Sequence, residues 1–219
     1  MKSKSLLDYS EKISNDVQAV FYLNPSNYYR KEIANKLEIN FDKLAVPEQV
    51  HSAVVEFARI PGNYPDADGL VTTNSNILLT LKVADCVPIF LVDAARRAIA
   101  VLHAGWRGIA AGILDYGIRA LREHSGSWPV DLMMHLGPSI CGACYEVGTE
   151  VFEVLDQPIP LQPSPIDLRK ILAQKADKAG IPSTNITVSD HCTRCTQSSL
   201  FSHRAGDMGR QVSYIGLRP

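Results

Sequence analysis

Two nearly unbroken apolar runs, Cys86 to Val92 and Ala98 to Leu102, flank the short polar stretch Asp93-Ala94-Ala95-Arg96. Runs of this length on either side of a tight reversal read as buried strands of one hairpin. A turn centred at position 94.5 sets Cys86 opposite His103 in antiparallel register. Directly opposed Cβ atoms lie about 4.5 to 5.5 Å apart, so a thiol and an imidazole there are able to hold one metal ion or share one proton. A slip of one residue would turn the two side chains to opposite faces.

The chain has 219 residues, 46% of them hydrophobic and 21% charged. That composition fits one globular domain spanning residues 1–219. A net charge of −1 gives no electrostatic reason to expect nucleic acid or an anionic membrane as partner. Met1 to Asp8 lacks the apolar stretch of a signal peptide, and no window reaches the roughly 18 apolar residues of a membrane span. The expectation is a cytoplasmic protein. Five cysteines, an odd number, favour reduced thiols or metal ligands over a disulfide framework.

Along the chain, Val17 to Leu23 reads as a strand ending in the turn Asn24-Pro25-Ser26-Asn27, and Tyr29 to Leu37 as a short amphipathic helix. Leu44 to Ser52 reads as a strand with His51 at its end, and Ile60 to Gly69 as a surface loop. Leu70 to Thr73 and Ile77 to Leu81 are short strands leading into the hairpin. Trp106-Arg107-Gly108 opens a helix to about Glu123, with Ile109, Ile113, Ile118 and Leu121 on one face. Asp131 to Leu136 is a strand stopped by Gly137-Pro138. Glu146 to Leu155 and Leu168 to Ala179 are helices, the second capped by Asp167 and closed at Gly180. Ile186 to Ser189 and Gln211 to Leu217 complete the strands. Strands and helices alternate without a regular βαβ beat, which predicts an α+β domain with mixed β-sheets flanked by helices.

His51 and His103 each follow an apolar strand-like run and precede small residues, and strand ends are where sites are built. With Cys86 they form a donor set of two imidazoles and a thiolate, suited to zinc or copper with a fourth position open. Spacing alone leaves three readings: a metal site, a buried small cysteine with satisfied histidines, and a nucleophilic Cys86 activated by histidine. Asp85, which in a regular strand points to the face opposite Cys86, is expected to be structural or to fix an imidazole tautomer. Arg107, at a helix start, and Arg204 and Arg210, in a glycine-containing loop beside His203, are candidate anion-binding groups. His124 and His135 read as ordinary, one at an exposed helix end and one within a strand. Cys141-x-x-Cys144 and Cys192-x-x-Cys195 invite a four-thiolate zinc site. The 47 residues between the pairs, against roughly 15 to 20 in a zinc ribbon, argue instead for buried or loosely reactive thiols.

Several segments together resemble the laccase-domain family, also known as polyphenol oxidoreductase laccases and YfiH-like proteins: Gln49-Val50-His51, Ala67-Asp68-Gly69-Leu70-Val71-Thr72, Ala84-Asp85-Cys86-Val87-Pro88, His103-Ala104-Gly105-Trp106-Arg107-Gly108, Gly137-Pro138 with Cys144-Tyr145-Glu146-Val147-Gly148, and Cys192-Thr193-Arg194-Cys195. The resemblance spans residues 49 to 217. It implies a fold shared with cysteine-hydrolase-like toxins, metal ligands at His51, Cys86 and His103 that usually hold zinc, and a helix-start arginine at Arg107. It also implies purine nucleoside phosphorylase activity with adenosine deaminase activity, on adenosine, inosine or methylthioadenosine, in a monomer or weak homodimer.

Under that resemblance a zinc-bound water of pKa near 7 would attack C6 of adenosine, while Arg107, Arg204 and Arg210 would clamp phosphate for phosphorolysis. Two other functions stay open. One is peptidoglycan editing, by hydrolysis of a serine-containing muropeptide precursor; the other is a non-catalytic metal-binding or scaffold protein. The chain departs from the family in lacking a Thr-Arg-x-Gly-Gly-Val-Ser segment within Val17 to Asn27. It also reads Ser202-His203-Arg204-Ala205 for Ser-Tyr-Arg-Arg, and Ala143-Cys144-Tyr145 for Cys-Cys-Tyr.

Overall fold

In the computed structural model, which describes residues 6–22, 41–196 and 200–218, strands Val87–Asp93 and Ala98–Ala104 pair antiparallel and every residue in them is buried. Successive side chains of a strand point to opposite faces, and here both faces are covered. Ile89, Leu91, Ala100 and Leu102 join one apolar cluster with residues of the helices Ile113–Ser125 and Leu168–Lys178. Phe90, Val92, Ile99 and Val101 join a second cluster with Leu79, Leu81 and Ile215. Covered on both sides, the hairpin needs no polar alternation, which is why its sequence is almost continuously apolar.

The hairpin lies in a mixed six-stranded sheet ordered Ile186–Val188, Met133–Leu136, Val87–Asp93, Ala98–Ala104, Gly69–Thr72, Val55–Phe57. A second six-stranded sheet runs Leu6–Asp8, Val17–Tyr22, Gln211–Leu217, Leu78–Val83, Leu44–Pro47, Gly62–Tyr64. The layers are therefore sheet, sheet, helices, an α+β arrangement with parallel and antiparallel pairs in each sheet. Among the described residues no helix is long and apolar enough to cross a membrane.

The register differs from the expected one by two residues. His103 pairs with Pro88 and Val87 with Ala104, because the connection is a four-residue loop that leaves Asp93 opposite Ala98. Arg97 adopts a left-handed φ of 49°, its N–H donates to the Ala94 carbonyl, and the Asp93 carboxylate accepts the Arg96 N–H. An even shift preserves the face, so Cys86 and His103 stay on the same side as diagonal neighbours.

Other boundaries move for local reasons. The helix expected from Trp106 to Glu123 is two, Trp106–Ala110 and Ile113–Ser125, broken at Gly112 where φ is +87°. The expected apolar face survives the break: Ile109, Ile113, Ile118 and Leu121 are all buried. The first strand of the second sheet's parallel pair stops at Pro47 instead of Ser52, since Gln49 and His51 take φ of +65° and +64°. The loop 60–69 contributes the short strand Gly62–Tyr64 to that pair. Glu146–Val147 is a strand before the helix Thr149–Val154, not part of it. Asp167 caps the helix Leu168–Lys178 by accepting the N–H groups of Arg169 and Lys170, as predicted. The helix expected at Tyr29 to Leu37, with the turn before it, lies outside the described residues.

Candidate functional site

Where the hairpin opens toward the Gln49 to Ser52 segment, the donor atoms of His51, Cys86 and His103 lie within 4.8 Å of one another. Each comes from a different backbone setting. His103 ends a central strand and is 4% exposed, Cys86 sits just before the opposing strand, and His51 stands on an exposed loop. The Cys86 sulfur packs where a Cβ on Gly105 would lie 3.0 Å away, with His51 Cδ2 at 3.3 Å. Any side chain at 105 would push into two of the three donors.

Asp68, fully buried, holds the cluster together. Its Oδ1 lies 2.7 Å from His103 Nδ1 and accepts the His51 N–H at 3.0 Å, while Oδ2 accepts the N–H groups of Val50 and Ser52 and the Ser52 hydroxyl. One carboxylate thus fixes a ring and the loop carrying the other ring, leaving His103 Nε2 for the cluster. Gln49 anchors the same loop to the second sheet, its amide donating to the Lys82 carbonyl and its Oε1 accepting the Lys82 N–H. These contacts offset two left-handed non-glycine residues, each costing on the order of 1–3 kcal/mol.

The electrostatics follow from the geometry. Burial works to raise the Cys86 thiol pKa, but hydrogen bonds with His103 and His51 outweigh it and bring it down to about 7. Burial works to lower His103, and the contacts with Asp68 and Cys86 raise it to about 9 instead. Desolvation would likewise raise Asp68, yet the His103 ring and the Ser52 amide and hydroxyl hold it below the ordinary carboxylate value. The protein groups by themselves favour a thiolate beside an imidazolium at neutral pH. An imidazole whose second nitrogen meets a buried carboxylate is also how metal-ligating histidines are oriented, so the donor set fits a tetrahedral divalent ion with one position left for solvent or substrate.

The cluster lines a cleft of about 640 Å³ whose walls include Trp106, Arg107, Tyr145, His203, Arg204 and Arg210. The Arg107 guanidinium lies 4.3 Å over the Trp106 ring and that of Arg204 lies 4.7 Å over Tyr145. Arg210 donates to the carbonyls of Asp207, Met208 and Gly209. Among the described residues none of the three is ion-paired with a carboxylate. The cleft is basic, and its charge is available to an anion.

Of the two roles expected for Asp85 the structural one holds, and it orients no imidazole. Its buried carboxylate accepts the Thr193 hydroxyl at 2.6 Å and the Arg204 N–H at 2.8 Å, so it ties the remote Thr193 and Arg204 to the backbone beside Cys86. The orienting role falls to Asp68, which sequence reasoning passed over; the available signal was a single acid set between Ala67 and Gly69 at the head of a buried strand. His124 is exposed and stacks on Phe57, and His135 is buried with Nδ1 2.8 Å from the Thr187 hydroxyl. Cys141, Cys144, Cys192 and Cys195 lie together despite their separation in sequence.

The family described as multi-copper polyphenol oxidoreductase laccase matches residues 25–218. The purine nucleoside phosphorylase YlmD of Geobacillus stearothermophilus is 32% identical over 212 residues, which cover 86% of this chain and 77% of that protein. An adenosine deaminase from an unknown prokaryotic organism is 36% identical over 210 residues, covering 86% of this chain and 79% of its own. Among solved structures, the hypothetical protein YfiH of Bacillus licheniformis superposes with a TM-score of 0.90 at 27% identity, over 99% of this chain and 98% of its own. The YlmD structure superposes with a TM-score of 0.87 at 26% identity over 93% of each. With the match running through nearly all of the described fold, the chain belongs to the multi-copper polyphenol oxidoreductase laccase family.

Proposed function

We propose that this protein is a zinc-dependent purine nucleoside phosphorylase that also deaminates adenosine, with His51, Cys86 and His103 as metal ligands. The observation that carries the reading is a cluster of three donors, within 4.8 Å of one another, on the wall of a basic cleft. Relatives that share most of the chain are named for both activities. A zinc ion bound there supplies Lewis-acid activation of water at neutral pH, the chemistry that replacing the 6-amino group of adenosine by oxygen requires.

The chain's own residues do the rest. Asp68 keeps the proton of His103 on Nδ1 and so directs Nε2 toward the reacting side of the cleft. Arg107, Arg204 and Arg210 bind phosphate, and the ring faces of Trp106 and Tyr145 give the purine an apolar wall. In phosphorolysis the bond from ribose C1′ to the purine nitrogen breaks, its electron pair leaves with the base, and a phosphate oxygen closes on C1′. Guanidinium groups that fix the phosphate on one side of the ribose lower that barrier mainly by positioning. The central hairpin contributes to both apolar clusters, which supports reading residues 1–219 as one domain.

The test is incubation of metal-replete protein with adenosine and phosphate, and with adenosine alone. Adenine with ribose 1-phosphate, and inosine with ammonia, are the expected products. Full amide hydrolysis of a serine-containing muropeptide by metal-free protein, with no nucleoside turnover, would replace this reading by a Cys86 thiolate nucleophile paired with His103.

A further inference from the structure

The two cysteine pairs that their spacing keeps apart are brought together by the fold. Residues 139 and 192 form an isolated parallel bridge, and the Thr193 N–H donates to the Ser139 carbonyl, so the two C-x-x-C turns face each other. All four sulfur atoms lie within 4.8 Å of one another, with Cys141 and Cys195 3.8 Å apart. A tetrahedron built on zinc–sulfur bonds of about 2.3 Å has edges of about 3.8 Å. Disulfide sulfurs sit about 2.05 Å apart, so the spacing is that of co-ligands.

A second observation points the same way. The Cys192 sulfur, in a residue that is 3% exposed, accepts three backbone N–H groups, from Cys141 at 3.3 Å, Arg194 at 3.4 Å and Cys195 at 3.4 Å. Amides converging on one sulfur stabilise it as an anion, and outer hydrogen bonds of this kind orient metal-bound thiolates. The other turn is closed by the Cys144 N–H donating to the Cys141 carbonyl, and the Arg194 guanidinium donates to the Cys144 carbonyl across the gap.

We propose that Cys141, Cys144, Cys192 and Cys195 bind one zinc ion in a closed four-thiolate site, separate from the cleft. Each of the four thiols gives up its proton to solvent as the ion binds, and no position is left for substrate. The ion's work is structural. Thr193, inside one turn, holds the carboxylate of Asp85 beside Cys86, and Tyr145, directly after the other turn, lines the cleft. The four-thiolate site therefore staples two loops whose neighbours shape the reaction site, and it does so whatever substrate that site takes.

Metal analysis of the full chain, purified without chelator, tests this with two variants. Wild type is expected to hold two zinc ions per chain, Cys86→Ala one, and the double variant Cys141→Ser with Cys195→Ser one. After cobalt exchange, the Cys86→Ala protein should show the intense sulfur-to-cobalt absorption of a four-thiolate centre, and the double variant should lose it. Should the double variant fail to fold, the Cys86→Ala protein decides alone. One zinc in wild type and none in Cys86→Ala would overturn the proposal while leaving the cleft site intact. Iron in place of zinc, or an intact mass four hydrogens low with all four cysteines blocked to alkylation, would overturn it as well.

Discussion

Among the described residues lie two clusters of metal-type donors, and they are built in opposite ways. The cleft cluster takes three mixed donors from the ends of two central strands and a loop, with a buried carboxylate behind one of them. The cluster of Cys141, Cys144, Cys192 and Cys195 takes four sulfurs from two tight turns, with backbone amides behind one of them. Three ligands on a rigid frame leave a coordination position for chemistry, whereas four on short turns close the shell. The contrast teaches that cysteine count alone says little; what faces the sulfur decides its work.

The largest expected effect separates the clusters outright. Cys86→Ala should lower nucleoside turnover by at least about 100-fold, since even loss of an orienting partner costs about 10- to 100-fold. Steady-state assay beside metal analysis reads this, and unchanged turnover would break the distinction between a working and a structural cluster. Next, Asp68→Asn keeps the shape behind His103 but removes the charge, and should weaken zinc binding in the cleft by about 10- to 100-fold in a chelator competition. Zinc held by the four cysteines should be untouched in the same sample.

A smaller change sharpens the role of the cleft's cations. Arg204→Gln and Arg107→Gln should each raise the KM for phosphate by about tenfold, the scale of one charged hydrogen bond, with adenosine deamination nearly unchanged. Equal losses in both reactions would mean the arginines shape the site instead of binding phosphate. The smallest effect is a titration. In metal-free protein the thiolate fraction of Cys86 rises with pH through about 7, so its alkylation rate should reach half-maximum near there. An unperturbed thiol would still be mostly protonated at that pH, and a midpoint near the ordinary cysteine value would contradict the hydrogen bonds drawn from His103 and His51.

The hairpin was readable because both its faces are covered and its sequence says so. Its register was not, because the four-residue loop runs one residue later, from Ala94 to a left-handed Arg97, and arginine gives no warning of that. Cys86 and His103 still share a face, as diagonal neighbours and not as a pair, since the shift is even. Three donors could be named from position at strand ends, yet Asp68 could not be given its role, as its partners lie 16 to 35 residues away and come from two segments. The expectation against a four-thiolate cluster failed for a similar reason: spacing rules assume that the two turns of a site lie near each other in sequence, and here a parallel bridge between Ser139 and Cys192 joins two distant ones.

The burial of the central hairpin on both faces has a kinetic consequence. Amide protons within Val87–Asp93 and Ala98–Ala104 can meet solvent only when both apolar clusters come apart, so they should be among the slowest in the molecule to exchange with deuterium. His103 sits on that slow backbone and Cys86 at its margin, whereas His51 rides on an exposed loop held by polar contacts, four hydrogen bonds to Asp68 and Gln49's grip on Lys82. The cleft thus joins a donor seated between both apolar clusters to one on a polar loop outside them, and ion exchange there is expected to be timed by the loop.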